Sequence, residues 1–275
     1  MNNGAVFGQY YEGDSPIHRA DPRIKLVCSS LFIVVIFMAK SIAAFAMLTL
    51  FSVLVILSTG IPFGKFIKGL KPILFIMAFT VVLNVFWYKG DTILVEFYFI
   101  KIYLEGIINA FLIALRIVLL IAGTSALLTY TTTPLALTDG LESLLSPLKV
   151  LKVPVHDFSM MMTIALRFIP TLTEETHKIM NAQKARGADF TSGSIIQRAK
   201  SLVPILIPLL VSAFRRAEEL ADAMECRCYT GGEGRTRMNV LKCVPSDFMF
   251  ILIMIVLGAG VVLLNIYVPT GTLAF

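Results

Sequence analysis

The feature that most limits this chain is a run of 39 residues, 26–64, in which Lys40 is the only charged side chain. About 20 mainly apolar residues carry a helix across the hydrocarbon of a bilayer, where helices and closed barrels alone satisfy the backbone. The run is therefore two spans joined by a tight turn at "AKSIAA". Residues 72–88, 106 to about 130, and 248–268 repeat the signal, so five spans are expected. The composition agrees: 57% of residues are hydrophobic and 15% are charged, against about 25% charged in soluble domains.

The connections set an orientation. Arg19, Arg23 and Lys25 precede the first span, and Lys65, Lys68 and Lys71 fill the second connection without an acid. By the positive-inside rule both are cytoplasmic. Lys89 and Lys101 are set against Asp91, Glu96 and Glu105 in the next connection, and the tail after Val268 is uncharged. The expectation is amino terminus inside, carboxyl terminus outside. The net charge of +6 is explained by this placement of lysine and arginine, and no nucleic-acid partner is expected. Glu12, Asp14 and Asp21 in the first 25 residues, with no small-residue cleavage site after the apolar run, argue against a removable leader.

Residues 131–245 form a long cytoplasmic stretch too apolar for an ordinary soluble domain. Ser201 to Phe214, "SLVPILIPLLVSAF", is uncharged but short of a span, and "FSMMMTIALRFIP" is similar. Both are expected to lie in or dip into the membrane interface, with breaks or kinks at Pro170, Pro204 and Pro208. Two amphipathic helices follow these runs. One covers roughly 171–186 and places Leu172, Ile179 and Ala182 together. The other carries a seam of Phe214, Ala217, Ala221, Met224 and Cys228, spaced as a helix requires.

Sites of chemistry are scarce. The expected spans hold no Asp or Glu, which a proton- or cation-coupled carrier needs. Arg116 is the one deep charge, with two readings left open: a buried partner, or an arginine that snorkels outward from a span starting later. "TGGEGRT" has Arg235 where a P-loop needs lysine. His18, His156 and His177 lie in separate segments without a nucleophile motif. Cys226 and Cys228 lack metal-finger spacing, and all four cysteines are expected as thiols. What remains is a pair of arginines, Arg186 in "KARGADF" and Arg227 in "ECRCYTGG", each among small residues at the end of an amphipathic helix. A helix-end arginine complements the macrodipole. Flanked by small side chains, it is also open to a bidentate bond with a partner's carboxylate. Two such ends read as a paired docking site.

Four blocks then carry a resemblance: "GQYYEGDSPIHRADPRIKL", "TTTPLALTDGLESLLSPLK", "ALRFIPTLTEETHKIMNAQKARGADF" and "RRAEELADAMECRCYTGGEGRTRM". Together they resemble the transmembrane T components of energy-coupling factor (ECF) transporters, the CbiQ/EcfT family, which includes membrane subunits of cobalt and nickel uptake systems. The resemblance implies an all-α integral membrane protein of about five transmembrane helices plus long cytoplasmic coupling helices. Its parts are a cytoplasmic segment 1–25, four spans in 26–130, a coupling region 131–245, and a last span with external tail, 246–275.

It also implies a non-catalytic subunit without a cofactor of its own. Two cytoplasmic ABC-type ATPases hold ATP and magnesium, and a membrane-embedded S component binds the substrate. The family's two Ala-Arg-Gly docking motifs map onto Ala185, Arg186 and Gly187, and onto Cys226, Arg227 and Cys228. With cysteine in the third place, the second helix is expected to run on further. The apolar surface of Met160, Met161, Ile164, Leu202, Ile205, Leu206 and Leu209 is the expected S-component contact, with methionine suiting an adaptable surface. The amino-terminal block looks like the shared, vitamin-serving type. The alternatives are a dedicated cobalt or nickel subunit, a self-contained secondary transporter, and a receptor without ATPases.

Overall fold

The computed structural model describes residues 10–87, 92–97, 100–190, 194–231 and 243–267, with backbone alone for 93–97, 100–102 and 195. The chain divides into two compact units, Met1–Ser143 with Leu241–Phe275, and Leu144–Val240.

The first unit is a helical bundle. α1, Pro16–Arg19, and α2, Pro22–Met38, each begin with proline behind a capping side chain: Ser15 accepts from the His18 N–H and Asp21 from the Arg23 N–H. α3, Ile42–Thr59, starts at Ser41, whose hydroxyl accepts from the Ala44 N–H at 3.1 Å. The turn between α2 and α3 falls at the expected place, and distant side chains satisfy its backbone. Asn265 accepts the N–H groups of Lys40 and Ser41, each at 3.1 Å, and donates to the Met38 carbonyl at 2.8 Å. Arg116 donates to the Ala39 carbonyl at 2.8 Å, with its guanidinium carbon 5.3 Å from the Phe45 ring centre. Of the two readings of Arg116, the structure therefore supplies the partner: a helix-end carbonyl.

After α3 the expected connection is itself helical. α4, Phe63–Leu70, carries Lys65 and Lys68 and meets α5, Leu74–Trp87, at a 64° bend. The next connection holds an antiparallel hairpin, β1, Ile93–Phe97, and β2, Ile100–Tyr103, with Ile93 opposite Tyr103, Glu96 opposite Lys101 and a bulge between Ile93 and Val95. The membrane-embedded part remains all-α. α6, Leu104–Thr124, passes into a π-helical turn, Ser125–Thr129, and stops at Tyr130. Tyr130 ties this end together: its ring meets Phe66 edge-on at 5.1 Å, its hydroxyl donates to the Lys65 carbonyl at 3.3 Å, and its carbonyl accepts from the Tyr11 N–H at 2.9 Å.

α10, Pro245–Tyr267, packs on α2 and α3, and α6 packs on α2, α3 and α5. The core joins Phe32 and Ile36 of α2, Phe45 and Leu48 of α3, Leu112 and Leu119 of α6, and Leu257 and Val261 of α10. In lipid such a core is held by shape and dispersion, because the tails are as apolar as leucine. Gly123 is part of that fit: a Cβ there would overlap the Phe32 ring.

A polar knot closes the same end as Tyr130. Lys25, one of the basic residues that precede the first span, is buried, donating to the His18 and Thr131 carbonyls at 3.0 and 2.8 Å. Asp21 and Asp247 are buried beside it, and Asp247 accepts from the Val244 N–H at 2.9 Å and the Asp21 N–H at 3.4 Å. Buried charge persists only where it is paired and hydrogen-bonded, and these three groups meet that condition together.

Among the described residues, Ile42–Thr59, Leu104–Thr129, Ile196–Cys226 and Pro245–Tyr267 are long and apolar enough to cross a membrane, and α4 with α5 forms a bent fifth candidate. α2 has 17 residues, about 25 Å at 1.5 Å per residue, slightly less than the hydrocarbon thickness. The protein is a multi-pass membrane protein.

α7, Pro134–Leu145, spans the division between the units. The second unit then contains a 3-10 turn, Ser146–Leu151, and two long helices, α8, Val155–Ala185, and α9, Ile195–Cys226. Here the structure corrects the expected breaks. α8 continues through Pro170, and α9 through Pro204 and Pro208. Each proline removes one backbone hydrogen bond, but each ring lies on an exposed face, where it displaces no packed neighbour. α9 opens on a capping box in which Ser194 and Gln197 satisfy one another's backbone.

Candidate functional site: two capped arginine tips

The ends of α8 and α9 are built alike. Arg186 closes α8 at φ −86°, and Gly187 follows in the left-handed region at φ 87°. The Gly187 N–H donates to the Lys184 carbonyl at 3.0 Å and the Ala188 N–H to the Gln183 carbonyl at 3.0 Å, the paired bonds of a Schellman motif. Arg227 closes α9 at φ −92°, and Cys228 follows at φ 54°. The Cys228 N–H donates to the Glu225 carbonyl at 2.8 Å and the Tyr229 N–H to the Met224 carbonyl at 3.0 Å.

The second helix therefore does not run on. Cysteine takes the left-handed conformation that glycine takes in the first motif, at a cost of about 1–2 kcal/mol for a side chain with a Cβ, and the two hydrogen bonds of the motif offset it. Ala185, Arg186, Gly187, Cys226, Arg227 and Cys228 are all exposed. Nothing crowds Gly187, where an added Cβ would meet open space. Each guanidinium sits at the carbonyl end of a helix, an arrangement the macrodipole favours, and projects where a carboxylate could approach it.

The two helices are fastened to each other by a group the sequence reading passed over. Glu175 of α8 accepts a hydrogen bond from the Ser212 hydroxyl at 2.5 Å and one from Arg216 at 3.1 Å, both on α9. These bonds hold its carboxyl below the usual carboxylate range, with the Ser212 bond the largest cause. Glu175 and Arg216 are 41 residues apart in sequence, and so are Arg186 and Arg227. Each tip therefore lies 11 residues beyond the clamp, an arm of about 16 Å on each helix. The repeated offset was the available signal.

The clamp also corrects the expected seam of α9. Phe214, Ala217 and Ala221 are exposed, whereas Ser212, Arg216, Leu220 and Met224 form the half-buried face. The polar groups of the clamp share this face with Leu220 and Met224, so of the expected stripe Met224 alone is half-buried and Phe214, Ala217, Ala221 and Cys228 are left exposed. On α8, Leu172 and Ile179 are half-buried as expected, and Ala182 is exposed.

Of the expected S-component contacts, Met161, Leu202 and Leu206 are exposed and Met160, Ile164 and Leu209 are half-buried. Ile205 is only 7% exposed, so it packs within the chain and is not available as a contact. Other exposed apolar residues extend the α9 surface, including Val203, Ile207, Leu210 and Val211. Cys226, Cys228 and Cys243 are exposed free thiols and Cys28 is a buried one. Among the described residues, no group of three or more His, Cys, Asp or Glu could hold a metal. Residues 232–236 of the glycine-rich stretch, with Arg235, the connection residues Lys89 and Asp91, and the uncharged tail lie outside the described residues.

Comparison with known proteins finds relatives over nearly the whole chain. The cobalt transport protein family, CbiQ, matches residues 13–238. The energy-coupling factor transporter transmembrane protein EcfT of Ruminiclostridium cellulolyticum is 52% identical over 265 residues, 96% of this chain and 98% of its own length. The EcfT protein of Bacillus subtilis is 49% identical over 259 residues, 94% of this chain and 97% of its own. That of Clostridium kluyveri is 52% identical over 258 residues, 94% and 95% respectively.

Proposed function

The chain belongs to the CbiQ/EcfT family, the transmembrane components of energy-coupling factor transporters, and from that premise we propose that it is the non-catalytic part that links two cytoplasmic ABC-type ATPases to a substrate-binding S component. The ATPases hold ATP and magnesium, and this chain holds no cofactor. Its amino terminus lies in the cytoplasm and its carboxyl terminus outside. Residues 1–25 are the cytoplasmic lead, 26–130 and 246–275 the membrane part, and 131–245 the coupling region.

The observation that carries the reading is the matched pair of tips. Two exposed arginines close two helices through the same hydrogen-bond motif, at equal distances from one clamp. Such a pair fits two copies, or two similar copies, of one partner surface. Arg186 with Ala185 and Gly187 docks on one ATPase, and Arg227 with Cys226 and Cys228 on the other, each guanidinium bonding a carboxylate in two places. Closure of the ATPases on nucleotide moves the tips, and the clamp converts tip motion into rotation of α8 against α9. The apolar surface of Met161, Leu202 and Leu206 passes this motion to the S component. Because that contact is made in lipid, it depends on packing and releases readily. The substrate is a vitamin, captured by the S component.

Exchanging both arginines, Arg186→Glu with Arg227→Glu, tests the docking role. Co-purification of the ATPases and ATP-driven uptake are expected to vanish while the membrane-extracted protein keeps its helical content. Undiminished assembly and uptake would remove the docking role from both residues.

A further inference from the structure

The connection between α7 and α8 has no part in the reading above. Val150 is 87% exposed and Leu151 71% exposed, and every residue from 146 to 154 is exposed. Three-residue periodicity in a 3-10 turn eclipses side chains three apart. Ser146 and Lys149 therefore share one edge of the turn Ser146–Leu151, Pro147 and Val150 a second, and Leu148 and Leu151 a third. Two apolar edges flank a polar one that carries a lysine. Lys152 ends the turn in the left-handed region at φ 60°, and Val153, also exposed, continues the apolar surface. No Asp or Glu occurs from 143 to 156.

Short aliphatic side chains and lysines, without an acid, suit the boundary between headgroups and acyl chains. The aliphatics enter it, the lysine stems lie along it, and the ammonium groups stay with lipid phosphates. A protein partner is usually fixed in register by an aromatic anchor or by a set of mixed donors and acceptors, and the turn offers no aromatic residue and, beyond Ser146, only the two lysine ammonium donors. A bilayer requires no register. It is also close in chain length, because only α7, 12 residues, separates this turn from the segment that follows the α6 span.

We infer that residues 146–153 insert into the headgroup region of an anionic bilayer leaflet and tether the second unit at the membrane surface. The inference rests on the chain being a membrane protein and is independent of the arginine docking roles.

The chain has one tryptophan, Trp87, so the full-length variant Trp87→Phe with Val150→Trp carries a single reporter at the turn. It is reconstituted in phosphatidylcholine vesicles with and without phosphatidylglycerol, with bromine on the acyl chains either near the headgroup or deep in the layer. Blue-shifted emission is expected, quenched more by the shallow bromine than by the deep one, with both effects growing with phosphatidylglycerol. Adding Lys149→Gln and Lys152→Gln is expected to lower the ratio of inserted to free turn about 30-fold. All three substituted positions on the turn are exposed, and unchanged far-ultraviolet helicity confirms the fold of each variant. Water-like emission in phosphatidylglycerol vesicles would overturn the inference. So would a shift that appears only when ATPases or a second membrane subunit are added, since the turn would then be a protein contact.

Discussion

The clamp at Glu175 makes the sharpest prediction. Substituting Glu175→Ala with Ser212→Ala removes the acceptor and the hydroxyl donor, and Arg216 loses its bond to Glu175. The two bonds, at 2.5 and 3.1 Å, are replaced by apolar stubs, while the helices keep their own backbone hydrogen bonds. With an arm of 11 residues, about 16 Å, each 10° of added play at the crossing moves a tip by about 3 Å. The two tips lie at most roughly 42 Å apart, two arms plus the spacing of packed helices, which is within reach of spin-label distance measurement. Labels at Cys226 and at Ala185→Cys, with Cys28, Cys228 and Cys243 changed to serine, report that distance directly.

The expected result is a distance distribution broadened by several ångströms, unchanged helical content, retained ATPase co-purification, and less uptake per ATP hydrolysed. The pH dependence has a definite sign. Because the Glu175 pKa is lowered from its ordinary 4.5, the clamp is fully present above that value and is lost only as pH falls through the lowered pKa. The unsubstituted protein is therefore expected to give one distribution from pH 8 down to pH 5. An unbroadened distribution in the double variant, or a broadening of the parent between pH 8 and pH 6, would refute the clamp.

The remaining predictions concern single positions. Cys228→Gly relieves the left-handed conformation and is expected to leave assembly intact, while Cys228→Val places a β-branched residue at φ 54° and costs about 1–3 kcal/mol locally; ATPase pull-down strength ranks the two. Arg116→Leu takes a donor from the fully buried Ala39 and is expected to destabilise the bundle by about 1–3 kcal/mol, measured as an earlier thermal transition in detergent. Gly123→Ala drives a methyl into the fully buried Phe32 ring and is expected to cost about 1–3 kcal/mol; in the same assay, Phe32→Leu with Gly123→Ala recovers part of the loss.

Much of the architecture was legible in one dimension because the bilayer imposes its thickness on the chain. Apolar runs of span length, interrupted only by Arg116 in α6, located α3, α6 and α10, and the single break at "AKSIAA" located the first turn. Both arginine motifs were readable as helix ends from the small residues and glycines around them. The CbiQ/EcfT membership was likewise carried by contiguous blocks.

What the sequence could not express was decided where distant segments meet. Proline marks a missing hydrogen bond but does not by itself fix where a helix ends, and α8 and α9 run on through theirs, with the rings exposed. Cysteine lacks the conformational freedom of glycine, yet Cys228 takes the left-handed turn, with the Cys228 and Tyr229 N–H groups bonding back to Glu225 and Met224. The burial of Lys25 depends on the carbonyls of His18 and Thr131 that receive it, and the choice between the two readings of Arg116 depends on the α2–α3 turn coming within reach of α6. The packing face of α9 runs through Ser212, Arg216, Leu220 and Met224 and leaves most of the expected seam exposed, with Glu175 on the other helix as partner to Ser212 and Arg216. Hydropathy is a property of each residue alone and can be read along the chain. Hydrogen-bond satisfaction is a property of pairs, and only the folded arrangement determines which pairs exist.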